Sequence, residues 1–415
     1  MKVIVSHPGK QHSYRTAEAL NNTNKLMYYV TSVYNAPGHI THILYSLTKG
    51  DIKKKIAGHY IDSISQNKIV IFKEWLGIIV LIIMKIPYIN RFYNRLNNIL
   101  NDEFARKMVS FVEKKQPSAI ISYDYNSALL FEELEKRSPD IIRILDVSIA
   151  ARPFMKNVFQ RDYEQTKEQA LLTDYPEIWN EDSLERVYRE IDKADYFLVP
   201  SQIVKKSLLF CGVEESKIKI VPYGVDCSQF NYVARTFHNG ALRLIFVGAV
   251  DHRKGIHHLL NVVSMFSEKD IDLKLVGAYN SNDSLYKDNC QKSNVEFCGF
   301  ATHDRLTELY QKSDVFVFPT LGEGFGMVVL EAMSCGLPII ISDAAGGNDA
   351  VTDGEDGFEF QAGNDDQLYD RIKWFIDHKD KIPEMGKKAR QKAEKYTWDR
   401  YSENLCQTID EILGE

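Results

Sequence analysis

Short apolar runs alternate with longer amphipathic stretches along this chain, in the strand, turn, helix order that builds parallel α/β sheets. In the first half, the runs suited to buried strands are Lys2–Ser6, Leu26–Val30, Ala119–Ser122, Ile141–Leu145 and Tyr196–Val199. Helical periodicity falls between them at Phe92–Lys115, Ser127–Lys136 and Ser183–Ala194. In the second half, strands are expected at Leu242–Val247, Leu273–Val276, Val295–Phe297, Val315–Phe318 and Pro338–Ile341. Helices are expected there at Ile256–Phe266, Asp304–Lys312, Gly326–Cys335 and Asp366–Asp377, and a last packed helix at Trp398–Leu413. Pro200, Gly212, Pro222 and Gly224 punctuate the junction over Ser201–Val225. The pattern predicts two doubly wound α/β units, residues 1–205 and 206–395, followed by a helical segment, 396–415.

One stretch departs from the alternation. Trp75–Met84 is ten apolar residues, flanked by Lys68, Lys73, Lys85, Arg91 and Arg95. At about 1.5 Å per residue it falls short of a bilayer core of ~30 Å. It reads either as a buried helix or as one lying in a membrane interface with cations at its flanks. Charge sharpens the second reading. Residues 1–120 hold 17 Lys/Arg against 7 Asp/Glu, whereas the rest holds 34 against 50. A basic lobe beside an acidic one points to an anionic surface or partner, or to simple drift of surface charge between domains.

A chain of 415 residues exceeds one ordinary core, and 44% hydrophobic with 26% charged residues is a globular composition. Its 6 cysteines include no Cys-x-x-Cys pair, which argues against a zinc or disulfide framework and fits a reducing compartment. The opening Met1–Val5 reads as a strand and not as a signal peptide, so a cytoplasmic location is expected.

The candidate chemistry lies where strands run into helices. Phe318-Pro-Thr-Leu-Gly-Glu-Gly-Phe-Gly-Met327 ends a strand, passes Gly322, Gly324 and Gly326, and enters a helix. Glycines let the backbone approach a ligand, and a helix start offers N–H groups and a positive dipole end suited to phosphate. Glu323 stands in that loop. Glu331, eight residues on, should lie about two turns into the helix, within reach of a ribose diol. Upstream, Leu244-Ile-Phe-Val-Gly-Ala-Val-Asp-His-Arg-Lys-Gly255 sets Arg253 and Lys254 at the C-terminal edge of the sheet, where α/β ligands bind. Paired cations there suit the charge on a departing diphosphate. His7-Pro-Gly-Lys-Gln-His12 follows the first strand and lacks Gly-x-Gly-x-x-Gly, which excludes a Rossmann dehydrogenase. His7 and His12 are acid–base candidates there. The only Asp-x-Asp, Asp270-Ile-Asp272, precedes a strand, and no metal site is expected.

These segments together resemble the family 4 retaining glycosyltransferases. Ala194-Asp-Tyr-Phe-Leu-Val-Pro-Ser201, Val221-Pro-Tyr-Gly-Val-Asp226, Phe246-Val-Gly248, Arg253-Lys-Gly255, Glu323-x7-Glu331, Gly346-Gly347 and Asp353-Gly354 stand in that family's order. The resemblance implies a GT-B fold of two facing Rossmann-like domains. The first would be on the acceptor side, the second would bind the nucleotide sugar, and the last helix would cross back to the first. It implies a metal-independent hexosyltransferase with a nucleotide-diphosphate sugar as donor substrate and no cofactor. Its acceptor would be a glycan or lipid-linked molecule of cell-surface polysaccharide or glycolipid synthesis, met at the cytoplasmic face of a membrane. No nucleic acid is expected as a partner.

Carried over by position, Glu323, Arg253 and Lys254 would be catalytic. Donor contacts would come from Gly248, Arg253, Lys254, Cys298, Phe300, Glu323, Gly324, Phe325, Gly326, Met327 and Glu331. Gly9, Lys10, Asp146 and Arg152 are first-domain candidates. Two positions depart from the family pattern. Ala249 stands where many members have arginine, and Asp146-Val-Ser-Ile-Ala-Ala-Arg-Pro153 offers no histidine. The other reading of the same features is a catalytically quiet nucleotide-sugar-binding subunit that supports a partner transferase.

Overall fold

Two parallel sheets carry the chain in the computed structural model, which describes residues 1–84, 92–235 and 239–414. The first sheet contains β1 (Val3–His7), β2 (Leu26–Thr31), β3 (Ile69–Ile71), β4 (Ala119–Tyr123), β5 (Ile142–Asp146), β6 (Tyr196–Val199) and β7 (Ile218–Ile220). Its order is β3-β2-β1-β4-β5-β6-β7. The second contains β8 (Leu242–Val247), β9 (Ile271–Val276), β10 (Val295–Gly299), β11 (Val315–Phe318), β12 (Ile339–Ser342) and β13 (Gly357–Phe360), in the order β10-β9-β8-β11-β12-β13. Central strands such as β1, β4, β11 and β12 are buried along their whole length. That is why they read as continuous apolar runs and not as alternating patterns.

The order of the first sheet moves the domain boundary. The division expected between residues 205 and 206 falls inside the helix Gln202–Phe210. Beyond that helix β7 pairs with β6, Phe197 opposite Ile218. The first domain therefore continues through Ile220, because strand, helix and next strand form one parallel unit.

The last helix, Trp398–Leu413, is capped by Thr397, whose Oγ1 accepts from the Arg400 amide at 3.1 Å. It packs on the first-domain helix Ser13–Asn22. Thr16 and Tyr401 hydroxyls meet at 2.9 Å, Lys25 pairs with Asp410, and the Arg15 guanidinium lies 4.8 Å from the Trp398 ring centre. The chain thus passes between domains twice, at 221–226 and 396–398, and the two passes touch. The Val225 amide donates to the Tyr396 carbonyl at 2.8 Å.

Trp75–Met84 forms part of the helix Glu74–Ile83, with Leu76, Gly77 and Val80 buried. Glu74 accepts from the Ile40 and Thr41 amides at 3.1 and 2.8 Å, and so ties down the start of the helix Ile40–Leu47. Lys85 and Arg91, two of the flanking cations, lie outside the described residues. Among the described residues, no helix is long and apolar enough to cross a membrane.

The contact between the two passes leaves no room at Gly224, where an added Cβ would come within 2.3 Å of the Thr397 carbonyl carbon. Gly224→Ala is expected to cost roughly 1–3 kcal/mol, as other overpacking changes do. Urea unfolding followed by circular dichroism measures this, and an unchanged midpoint would show that the passes are free to part.

Candidate functional site

The expected donor residues gather at the C-terminal ends of β8 and β11, which are neighbours in the second sheet. After β8, Gly248 has φ of +149°, and Gly255, at +69°, brings its Cα against the Pro319 carbonyl. A Cβ on Gly255 would lie 1.9 Å from that oxygen, so only glycine lets the two loops meet. Backbone bonds lock them further. The Leu321 amide donates to the Arg253 carbonyl at 2.8 Å, and Arg253 Nη1 donates to the Gly322 carbonyl at 2.8 Å.

This locking places Glu323 between two cations. Its Oε2 pairs directly with the Lys254 ammonium and lies 3.5 Å from Arg253 Nη1. Lys254 is only 8% exposed, and its ammonium also lies 5.1 Å from the Phe318 ring centre. Burial, then the neighbouring Arg253, lowers its proton affinity below the usual lysine value. An anionic ligand beside it would restore that affinity.

The rest of the loop divides by role. Phe325 is buried against Tyr223, ring centres 5.6 Å apart, so only its backbone can meet a ligand. Gly326 has φ of +77°, and the helix begins at Met327. Glu331 is therefore about one turn into the helix and not two, since the loop persists through Gly326. Its Oε2 accepts from the Tyr310 hydroxyl at 3.4 Å, and burial raises its pKa. At the end of β10, Cys298 is half-buried, its thiol pushed up to about 11 by burial, whereas Phe300 is 88% exposed.

The first-domain candidates do not join this group by any described hydrogen bond or ion pair. Gly9 donates its N–H to His7 Nδ1 at 2.7 Å. The Lys10 ammonium donates to the Gly58 carbonyl at 2.5 Å within its own domain. Asp146 is buried, with Oδ2 at 3.0 Å from His12 Nε2, and His12 also meets the Tyr223 hydroxyl. Asp146 and His12 therefore belong to the passage between domains. Arg152 lies over the Tyr125 ring at 3.8 Å and donates to Ser183 Oγ at 2.5 Å. It lines a first-domain cavity of about 850 Å³ together with His7, Gln11, Asp124 and Glu177. His7 is buried, and burial followed by the nearby His12 lowers its pKa to about 3. It is neutral at physiological pH and is no proton donor there.

Three features carried no sequence motif. A Cβ on Gly324 would lie 1.7 Å from the Ser148 carbonyl oxygen, so the loop after β5 presses on the donor loop. The Ser148 hydroxyl donates to the Asp124 carboxylate at 3.1 Å, and burial holds that carboxyl up at about 7. The Tyr175 hydroxyl accepts from the Arg253 amide at 3.3 Å, which puts a first-domain segment over the cationic loop. The third is a set of metal-capable side chains, Asp162, His257 and His258, outside the Asp-x-Asp considered above. Asp272 of that motif instead pairs with Lys274 at 3.7 Å.

Residues 233–392 match the family described as glycosyl transferases group 1. The matched stretch spans β8 to β13, so every second-sheet residue named above lies within it. The chain is similar to sulfoquinovosyl transferase SQD2 of Arabidopsis thaliana, 31% identical over 222 residues, covering 49% of this chain and 42% of that protein. It is 25% identical to the D-inositol 3-phosphate glycosyltransferase of Paenarthrobacter aurescens over 219 residues, 49% of this chain and 54% of the relative. The matches thus span about half the length of these relatives. Among solved structures, sucrose-phosphate synthase from Thermosynechococcus elongatus superposes with a TM-score of 0.68 at 19% identity, covering 100% of both chains. Anabaena Alr3699/HepE in complex with UDP gives 0.62 at 15% identity, covering 99% and 100%. The two domains together therefore have the GT-B fold.

The Asp124 carboxyl has a stability consequence with a definite sign. Its pKa is raised in the folded state, so between about pH 4 and 7 the native protein holds a proton that the unfolded chain has released. Stability then falls as pH rises through that window. Asp124→Asn should shrink the loss by roughly 2–4 kcal/mol, judged from urea midpoints at pH 5 and pH 8. An equal loss in both proteins would assign the pH dependence elsewhere.

Proposed function

We propose that the chain is a retaining, metal-independent hexosyltransferase that takes its sugar from a nucleotide diphosphate. The observation that carries this reading is the Glu323 carboxylate held between Lys254 and Arg253 under a glycine loop. Two cations and a carboxylate, already oriented and mostly shielded from water, match what departure of a diphosphate from a sugar requires. On donor binding, the phosphate oxygens would replace the carboxylate as partners of Arg253 and Lys254. Glu323 would then be released to accept hydrogen bonds from sugar hydroxyls. Glu331 would take the ribose diol, and backbone N–H groups from Gly324 to Met327 would meet phosphate and sugar oxygens. Cys298 and Phe300 would border the base. The acceptor hydroxyl would attack from the face the diphosphate leaves.

UDP-sugars are the first donors to try, because a HepE structure of the same fold holds UDP-glucose. A thermal-shift panel of UDP, GDP and ADP is expected to single out one base, with the shift lost in Glu331→Ala. Lys254→Ala should keep the fold and lose about 10²–10³-fold in turnover. Normal kcat/KM in folded Lys254→Ala protein would remove that side chain from the mechanism.

The acceptor is proposed to be a glycan or lipid-linked molecule of cell-surface polysaccharide or glycolipid synthesis, met at an anionic membrane. The helices Ile40–Leu47, Gly50–Ala57 and Glu74–Ile83 pack together and leave Ile43, Leu47, Ile52, Trp75 and Ile82 exposed, Leu47 at 75%. Lys49, Lys54 and Lys55 of the same segment are also exposed. Apolar side chains with cations among them suit an interface of acyl chains and anionic headgroups. The protein should sediment with phosphatidylglycerol vesicles at low salt, and Leu47→Glu/Trp75→Glu should abolish this. Equal recovery with neutral vesicles, or none with anionic ones, would refute the membrane surface.

A further inference from the structure

The helix Ile256–Val263 opens with two consecutive histidines, His257 and His258. Both present Nε2 to one carboxylate across the domain interface, that of Asp162 in the helix Arg152–Thr166. His257 Nε2 lies 3.1 Å from Asp162 Oδ2, and His258 Nε2 lies 2.6 Å from Oδ1. The other nitrogen of His258, Nδ1, faces Asp365 Oδ1 at 2.6 Å, and the second Asp365 oxygen accepts from Asn261 at 2.5 Å. Both ring nitrogens of His258 thus face carboxylate oxygens; a cation would displace the Nε2 proton, while Asp365 would keep the one on Nδ1, as the partner behind a metal-ligating histidine does.

The surroundings leave room for a ligand. His257 Nδ1 is buried without a hydrogen bond, whereas the neighbouring His252 faces a separate group with Asp174 and Asp283. Beside the Asp162 carboxylate stands Gly363, with φ of +77°. A Cβ there would come within 3.0 Å of Asp162 Oδ1 and 3.7 Å of His258 Nε2, so glycine keeps the space beside both donor atoms open.

We propose that Asp162, His257 and His258 bind a divalent transition cation of the zinc type, which ties the two domains together beside the donor loop. Two imidazoles and one carboxylate suit zinc, whereas magnesium and calcium favour all-oxygen sets. The fourth position is left to water. His257 and His258 follow Lys254 by three and four residues, and the helix carrying Asp162 leads to Tyr175, which touches the Arg253 amide. The cation therefore holds the first-domain segment over the cationic loop, and its role is to position that segment. It is separate from Arg253, Lys254 and Glu323, and the proposal stands whether or not transfer from a nucleotide sugar is confirmed.

The test uses the full chain without a histidine tag, dialysed against chelator and titrated with Zn²⁺ by calorimetry, with Co²⁺ as an optical probe. About one Zn²⁺ per chain is expected, with a Tm rise of several degrees and visible Co²⁺ bands of a four-coordinate site. Asp162→Asn and His257→Ala/His258→Ala should lose all three, with circular dichroism confirming their fold, and millimolar Mg²⁺ should not compete. The unmutated chain decides the matter even where a variant fails to fold. Weak binding spread over several of its 11 histidines, or unchanged affinity in folded Asp162→Asn, would overturn the site and leave an interdomain hydrogen-bonded cluster.

Discussion

The backbone contact between Gly324 and Ser148 is the constraint on which the candidate site depends. The Ser148 carbonyl occupies the space a side chain on Gly324 would need, and the Gly324 carbonyl in turn fills the space a side chain on Gly346 would need. Ser201 Oγ donates to that same Gly324 carbonyl at 2.6 Å, and the next amide, Gln202, donates to Asp349 at 2.7 Å. The donor loop is thus held between the loop after β5 on one side and the loop after β12 on the other. Contacts made by backbone atoms have little tolerance, because no flexible side chain can absorb a shift. The immediate consequence is the position of Glu323, whose amide is bound to the Ala344 carbonyl at 3.1 Å.

Once Glu323 is fixed, the electrostatics follow. A lysine as buried as Lys254 tends to shed its proton, and its proton affinity stays below the usual lysine value with the Glu323 carboxylate in contact. Two cations share one carboxylate here, which leaves the group short of negative charge. On the far side of Ser148, Asp124 reaches the same contact through one hydroxyl and borders the first-domain cavity. Ser148 thus touches both sides of the cleft, its carbonyl against the Gly324 loop and its hydroxyl on a buried carboxyl.

How far the sequence revealed this depended on the kind of signal each part leaves. Central strands were legible because burial on both faces turns them into apolar runs, and β8 and β11 appear with the limits their runs suggest. β3, β7 and β13 left no such signal. Each is a sheet edge of three or four residues with one pairing partner, and β3 is only half-buried. Missing β7 is also what displaced the domain boundary. That Arg253, Lys254 and Glu323 follow strands was legible in the sequence, but the direct pairing of Glu323 with both cations was not. Asp124, Tyr175 and the Asp162–His257–His258 group could not be anticipated, because each is joined to residues distant in sequence, the last two across the domains, that no local period connects. Arg152 was placed near the donor by resemblance, yet the helix it begins turns it toward Tyr125 and the first-domain cavity.

The distribution of contacts also shows how the domains are joined. The two chain passes are embedded in an aromatic group, Tyr223 with Trp398 and Tyr401, ring centres about 6 Å apart, and Tyr401 bonds to Thr16 across the domains. Away from it, the domains meet through small polar contacts: the Ser148–Gly324–Ser201 cluster, the Gln202–Asp349 bond and the Asp162–histidine group. Each is local and directional, and a displacement of an ångström or two breaks it. The Ser148–Gly324 contact thus both fixes Glu323 and joins the two domains, so the geometry of the cationic group depends on how the domains meet.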